Sequence, residues 1–330
     1  MSSNTSFKGT VVVADDNESV RELLSELLRL NCYRVIAVED GERAFDAACS
    51  QPVDLVLLDL TMPGPAGYTV CRAIKARPET RFLPVVLITG LASAEDRIRG
   101  IEAGADDFLS KPLMQEELVA RVRSLVQLKR STDELENAEN VLCTLARSIE
   151  AKDPYTEGHC DRLSRYTVSL AEKIGLSRED CNDLRRGGIV HDIGKVAVPE
   201  FVLLKPGFLD AAERKIMEVH TIVGERICAP LKSFRSILPV IRSHHEKQDG
   251  SGYPDHLKGE QIPLIARILQ TVDIYDSLTT DRPYREALST ENALEIMREE
   301  TRRGWWDANL VSALEGLLSD SPLKFSVASV

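Results

Sequence analysis

Apolar residues follow two rhythms along this chain. Up to about residue 128, short apolar runs alternate with amphipathic stretches. Thr10 to Ala14 is β-branched and apolar and stops at Asp15 and Asp16, which predicts a buried strand. Val20, Leu23, Leu24, Leu27 and Leu28 then share one face of a helix predicted from Ser19 to Leu30. Tyr33 to Val38 predicts a second strand and Gly41 to Cys49 a second helix. Val53 to Leu58 closes on Asp59, Pro84 to Ile88 on Thr89, and Asp107 to Leu109 is followed by Lys111-Pro112. Strands alternating with helices predict an α/β, doubly wound, five-stranded parallel sheet.

The second rhythm is helical. From Gln115 no Pro or Gly interrupts the chain until Pro154, and Leu128, Leu135, Leu142 and Ile149 recur every seven residues. This predicts a long connecting helix with a weak coiled-coil seam that joins the domains and pairs two chains. Beyond it, helical spacing covers Leu163 to Ile174, Arg178 to His191, Ala211 to Ile227, Ile237 to His245, Ile265 to Leu278, Thr290 to Thr301 and Leu310 to Leu318. The expected organisation is an α/β domain over 1–128, a helical linker over 129–150 and an all-α domain over 151–330.

Charge narrows the function. The net charge of −11 over 330 residues argues against a general nucleic-acid binder, which needs a basic face, while leaving room for a small anionic ligand held by local cations. Seven dispersed cysteines without a C-x-x-C pair read as reduced thiols of a cytoplasmic protein. The polar N-terminus has no signal-peptide core, and no apolar run predicts a membrane span.

In a doubly wound sheet the functional crevice lies beyond the carboxyl ends of the strands. Asp15, Asp16, Asp59, Thr89 and Lys111 all fall there, and converging carboxylates call for a cation such as Mg²⁺. This pattern, from Thr10 to Leu128, resembles the receiver domain of two-component response regulators. The resemblance implies that Asp59 accepts a phosphoryl group from a cognate sensor histidine kinase. It implies Mg²⁺ held by Asp16, Asp59 and the backbone carbonyl of Thr61, with Asp15 supporting. It also gives Lys111 and Thr89 to the phosphoryl group, Phe108 to the switch aromatic, and a cis bond to Lys111-Pro112.

None of the six histidines lies in the first 158 residues: they are His159, His191, His220, His244, His245 and His256. His191-Asp192 offers an imidazole beside a carboxylate, a pair that suits a divalent cation. Adjacent helical positions point about 100° apart, so the pair suits a carboxylate that bridges two ions with a histidine on one of them. Lys195, four residues after His191, is expected on the same helical face, toward the anion.

His191-Asp192-Ile193-Gly194-Lys195, with Asp153 to His159, His220, His244-His245-Glu246, Asp249 to Pro254, Asp273, Asp276 and Arg282-Pro283-Tyr284-Arg285, resembles the HD-GYP family of cyclic di-GMP phosphodiesterases. The resemblance runs from Val141 to Leu318. It implies a dinuclear centre of Fe, Mn, Ni, Co or Zn bound by His159, His191, Asp192, His220, His244, His245 and Asp273. Asp192 is the expected bridge, and Lys195, Arg282, Arg285 and Tyr253 are the expected contacts to cyclic di-GMP. Asp249 and Asp276 are expected to orient histidines. Some members carry a glutamate where this chain has Tyr155, and Glu157 is not placed to replace it, so two metals are expected rather than three.

The reading is a phosphorylation-controlled phosphodiesterase opening cyclic di-GMP to pGpG, with further cleavage to GMP a slower step. Two alternatives stand beside it. One is an HD-type hydrolase for another cyclic nucleotide. The other is a low-turnover module that binds cyclic di-GMP or partners such as diguanylate cyclases.

Overall fold

Five apolar runs pair side by side, in parallel, in the order β2-β1-β3-β4-β5. They are β1 (Thr10–Ala14), β2 (Arg34–Val38), β3 (Leu55–Asp59), β4 (Val85–Thr89) and β5 (Asp107–Ser110). The computed structural model describes residues 7–90, 94–151, 158–281 and 286–320. The chain divides into two compact units, Met1–Ala138 and Glu139–Val330.

In the first unit the helices are α1 (Glu18–Leu30), α2 (Gly41–Ser50), α3 (Gly67–Ala76), α4 (Ala94–Glu102) and the start of α5 (Gln115–Glu150). Strands buried on both faces need apolar residues at every position, and β3 and β4 are buried throughout. Val11 and Val13 face Leu24, Leu28, Leu118 and Val122, whereas Val12 and Ala14 face Ala44, Val70 and Ile74. Strand pleating therefore fills two cores, one against α1 and α5, the other against α2 and α3. Asn17 and Asp40 begin α1 and α2 by accepting backbone N–H bonds from Val20 and Arg43.

The second unit is helical: α6 (His159–Lys173), α7 (Arg178–Val190), α8 (Glu200–Leu203), α9 (Ala211–Cys228), α10 (Leu238–Ser243), α11 (Leu264–Thr279), α12 (Thr290–Arg302) and α13 (Ala308–Asp320). Capping boxes start two of them, Ser177 with Asp180 on α7 and Asp210 with Glu213 on α9. One core gathers Leu163, Leu184, Val240, Leu269, Met297 and Leu314. A second packs Ala146 of α5 against Val190, Ile193, Phe234 and Ile241.

Two expectations change. The helix α8 was not expected, and Lys195 does not continue the helix that carries His191. The α-helix ends at Val190, and Ile193–Ala197 forms a tight 3-10 turn. The reason is crowding against α9. A β-carbon on Gly194 would lie 1.9 Å from the His220 carbonyl oxygen and 2.5 Å from the Gly224 nitrogen. The tighter turn swings Lys195 back onto Asp192.

The seven-residue seam also divides. Leu142 and Ile149 pack into the second unit's core, while Leu128 and Leu135 are exposed.

Because the atoms facing Gly194 are backbone, Gly194→Ala has no side chain to displace. It should destabilise the second unit by about 3 kcal/mol or more, at or above the usual upper end for overpacking. Denaturant unfolding checks this; a midpoint within error of wild type would show that the turn can move.

Candidate metal and phosphoryl sites

Four histidines of the second unit turn one ring nitrogen outward and one inward. His191 Nδ1 lies 3.1 Å from the Gly188 carbonyl, His220 Nδ1 2.7 Å from that of Met217, and His244 Nδ1 2.9 Å from that of Ile241. A carbonyl only accepts, so each Nδ1 donates, and in the neutral ring each Nε2 is left as a lone pair. His220 Nε2 and His244 Nε2 then face each other at 3.4 Å. Two lone pairs cannot bond each other.

Asp192 stands between two such groups. Its Oδ1 lies 3.2 Å from His220 Nε2 and 3.7 Å from His244 Nε2, and its Oδ2 lies 3.3 Å from His191 Nε2. One set of donor atoms, Asp192, His220, His244 and His245, converges within 4.8 Å, and so does another, His159, His191 and Asp273. His191 Nε2 and Asp192 Oδ1 are buried without a hydrogen-bond partner. Convergent, buried lone pairs on nitrogen and oxygen are the donor set a divalent cation completes.

The charges support this. Burial, reinforced by the neighbouring rings, holds His245 well below the ordinary histidine pKa, and burial also lowers His244. Burial alone would raise Asp192, but the Lys195 ammonium, foremost, outweighs it and holds the carboxyl well below its usual range. Lys195 Nζ is 2.5 Å from Asp192 Oδ2.

The fourth ring is held differently. His159 Nδ1 lies 2.7 Å from Asp276 Oδ2, while its Nε2 points at Asp273 Oδ1, 3.3 Å away. Arg162 grips the same Asp276 carboxylate, through Nε at 2.7 Å and a second nitrogen at 3.0 Å. Asp276 thus orients a histidine, as expected. Asp249 does not: it is exposed, and its Oδ1 accepts the Ser251 N–H at 2.8 Å, shaping the loop instead. Glu246, fully buried, holds that loop from the other side by accepting from the backbone of Asp255 and Leu257. Gly252 brings the loop so near that a β-carbon would meet the Lys247 nitrogen at 2.3 Å. Tyr253 is thereby set beside His245, ring centres 4.9 Å apart.

Neither Arg162 nor the polar ties at the last turn of α5 stands out from residue types alone. Arg162 stands three residues after His159 on a helix, a spacing that places both on one face. Arg147 meets Asp161 at 2.9 Å, and Glu150 accepts the Cys160 N–H at 2.9 Å, so the last turn of α5 is fastened to the start of α6. Arg282, Arg285, Tyr155 and Glu157 lie outside the described residues.

In the first unit Asp15, Asp16 and Asp59 offer oxygens that converge within 4.8 Å. Asp15 and Asp59 are buried and Asp16 is exposed. Lys111 Nζ lies 2.9 Å from Asp15 and 3.2 Å from Asp59. Burial, chiefly, raises the Asp59 carboxyl above its ordinary pKa, against the pull of Lys111. The Thr61 hydroxyl is 3.4 Å from Asp59 Oδ2, Thr89 ends β4 in a buried position, and Phe108 is half-buried on β5. The Lys111-Pro112 bond is cis, as is Tyr253-Pro254.

Residues 143–310 match the HD domain family, and residues 11–123 match the response regulator receiver domain. The chain is 36% identical over 328 residues to the cyclic di-GMP phosphodiesterase response regulator RpfG of Xanthomonas campestris pv. campestris, a span of 92% of this chain and 86% of that protein. It is 31% identical over 317 residues to a cyclic di-GMP phosphodiesterase of Thermotoga maritima, covering 86% and 84%. It is also 40% identical over 188 residues to 3'3'-cGAMP-specific phosphodiesterase 3 of Vibrio cholerae, covering 57% of this chain and 41% of that one.

The hold of Asp276 on His159 makes a prediction. Asp276→Asn should weaken Mn²⁺ binding about 10- to 100-fold, the usual effect of removing a ligand's orienting carboxylate. Calorimetric titration of the metal reads it, and unchanged affinity would remove Asp276 from the site.

Proposed function

We propose that this chain, which belongs to the HD domain family and carries a response regulator receiver domain, hydrolyses a phosphodiester bond of cyclic di-GMP under the control of phosphorylation at Asp59. The observation that carries the reading is Asp192, whose two oxygens face two separate clusters of buried and half-buried donors. His159, His191 and Asp273 would hold one divalent cation and His220, His244 and His245 the other, with Asp192 shared. Two such cations supply Lewis acidity and neutralise charge on a phosphodiester.

The chain's own residues do the remaining work. The i−3 carbonyls fix each imidazole so that Nε2 points inward. Asp276 and Arg162 keep His159 aimed. Lys195, beside Asp192, offers a cation to the non-bridging phosphate oxygens, and Tyr253 closes the site from the loop side. Arg282 and Arg285 would add two further cations. With Tyr155 offering no carboxylate, two ions rather than three are expected and pGpG is the main product.

In the receiver, Asp59 would take the phosphoryl group from a sensor kinase. Asp16, Asp59 and the Thr61 carbonyl would hold Mg²⁺ with Asp15 in support, and Lys111 and Thr89 would steady the phosphoryl oxygens, with Phe108 as the switch aromatic. The exposed Leu128 and Leu135, seven residues apart on α5, suit pairing with a second copy. Among the described residues no helix is long and apolar enough to cross a membrane.

The relative that acts on 3'3'-cGAMP is the specific ground for a second reading, in which a mixed cyclic dinucleotide is the substrate. Metal-loaded protein offered cyclic di-GMP, 3'3'-cGAMP and cyclic di-AMP, with products separated by chromatography, decides between them. Fastest conversion of cyclic di-GMP to pGpG is the expected result, and conversion of none would end the proposal.

Two variants test the roles. Asp192→Ala should lose metal and turnover together, whereas Lys195→Ala should keep its metals and lose about 100-fold in rate, the scale of one stabilising donor. Elemental analysis beside the rate separates the two. At the receiver, Asp59→Asn should take up no label from acetyl phosphate; labelling equal to wild type would move the acceptor elsewhere.

A further inference from the structure

A cleft of about 190 Å³ is lined by His245 and Asp273 and by the rings of Tyr253 and Trp306. Arg214, Glu218 and Lys247 are also among its lining residues, and none of the three belongs to the metal-facing clusters. Arg214 and Glu218 lie one turn apart on α9, so their side chains are neighbours on one helix face. Among the described residues, neither has an ion-pair partner. Lys247 lies over the Trp305 ring, 3.4 Å from its centre and 5.5 Å from that of Trp306, which braces these rings by a cation–π contact.

The size of the cleft restricts what enters. It is smaller than the roughly 300–1,000 Å³ of pockets that enclose a drug-sized ligand, so it takes a fragment and not a whole dinucleotide. The fragment must be flat enough to lie against Tyr253 and Trp306. It must also present an acceptor edge to an arginine and, next to it, a donor edge to a carboxylate.

We propose that this cleft reads guanine: the base stacks at Trp306 and Tyr253, Arg214 donates to O6 and N7, and Glu218 accepts from N1–H and the 2-amino group. The inference rests on the reading of the neighbouring centre as one that holds a phosphate ester, which puts the base within reach of this cleft. Guanine carries O6 between N7 and N1–H, so two adjacent side chains of opposite charge meet two adjacent edges. Arginine is the usual bidentate partner of O6 and N7. Adenine presents an amine where guanine has O6, and a bare N1 where guanine has N1–H. It would turn a donor toward Arg214 and an acceptor toward Glu218. Discrimination therefore comes from unpaired charge as well as from matched bonds. A ligand with at least one guanine satisfies the cleft, so both cyclic di-GMP and 3'3'-cGAMP fit it, while cyclic di-AMP does not.

Of the chain's two tryptophans, Trp306 lines the cleft and Trp305 lies under its Lys247, so tryptophan fluorescence reports the cleft selectively. The full chain, loaded with Zn²⁺, is titrated with GMP, AMP and inorganic phosphate. GMP should change the tryptophan emission and bind about tenfold more tightly than AMP, the scale of one matched base contact. Inorganic phosphate should bind with little change in emission. Arg214→Ala should weaken GMP about tenfold without altering zinc content. Glu218→Gln, which keeps an acceptor and adds a donor for adenine N1, should move the preference toward AMP. Equal affinity for GMP and AMP in the wild type, or an unchanged ratio in both variants, overturns the proposal. Hydrolysis of cyclic di-GMP without base preference would sink the cleft and leave the activity. A GMP preference in a chain that hydrolyses no cyclic dinucleotide would sink the activity and leave the cleft.

Discussion

Lone pairs that cannot bond one another set the terms for the second unit. His220 and His244 present Nε2 atoms 3.4 Å apart, both with Nδ1 committed to a carbonyl. Leaving a buried polar atom without a partner costs about 1–3 kcal/mol, and here several converge. Helix packing holds them in place. Gly194 lets the turn after α7 press on α9, which sets Asp192 against His220. Gln270 on α11 donates to the carbonyls of His244 and Glu246, pinning the segment that carries His244 and His245. The same frame that stabilises the unit therefore stores a demand for positive charge at its centre.

The first unit poses the same problem in carboxylates. Asp15 and Asp59 are buried together, with Lys111 as the cation both touch. In the second unit Lys195 sits similarly against Asp192. In both, a single ammonium offsets part of a negative charge held away from water, and an added cation or phosphoryl group would change that balance. Lysine suits this role because its compact charge on a flexible stem can follow an anion as partners change. A guanidinium held in a fork, as Arg162 is on Asp276, does the opposite and keeps its carboxylate still.

Residue types and spacing reveal much of this, but not all. The β strands and their polar ends were readable because strands buried on both faces are apolar at every position, so Asp15, Asp59 and Thr89 stand out where the apolar runs stop. The histidine cluster was readable because none of the six histidines falls in the first 158 residues. What stayed hidden depends on contacts distant in sequence. The 3-10 turn at Ile193–Ala197 follows from how closely Gly194 meets α9, which no local pattern encodes. Glu246 looked like part of a motif, but its work is to bind the backbone of Asp255 and Leu257. Asp249, by contrast, looked available to a histidine, yet a short side chain in a glycine-bounded loop is nearer to its own backbone than to any ring.

The connecting helix shows how one repeat can serve two ends. Its seven-residue seam reads as a single stripe, but Leu142 and Ile149 are absorbed by the second unit's core while Leu128 and Leu135 stay exposed. The absorbed end is not passively packed. Ala146 lies in the core that includes Val190 and Ile193, the residues flanking His191-Asp192. Arg147 and Glu150 bind Asp161 and the Cys160 N–H in the first turn of α6, next to His159. A helix transmits rotation and translation along its axis because each turn is hydrogen-bonded to the next. Any displacement of α5 therefore reaches both groups of the centre at once, His159 through α6 and Asp192 through the core beneath it. His159 belongs to one donor set and Asp192 faces both, so movement of α5 bears on how the two sets are held against each other.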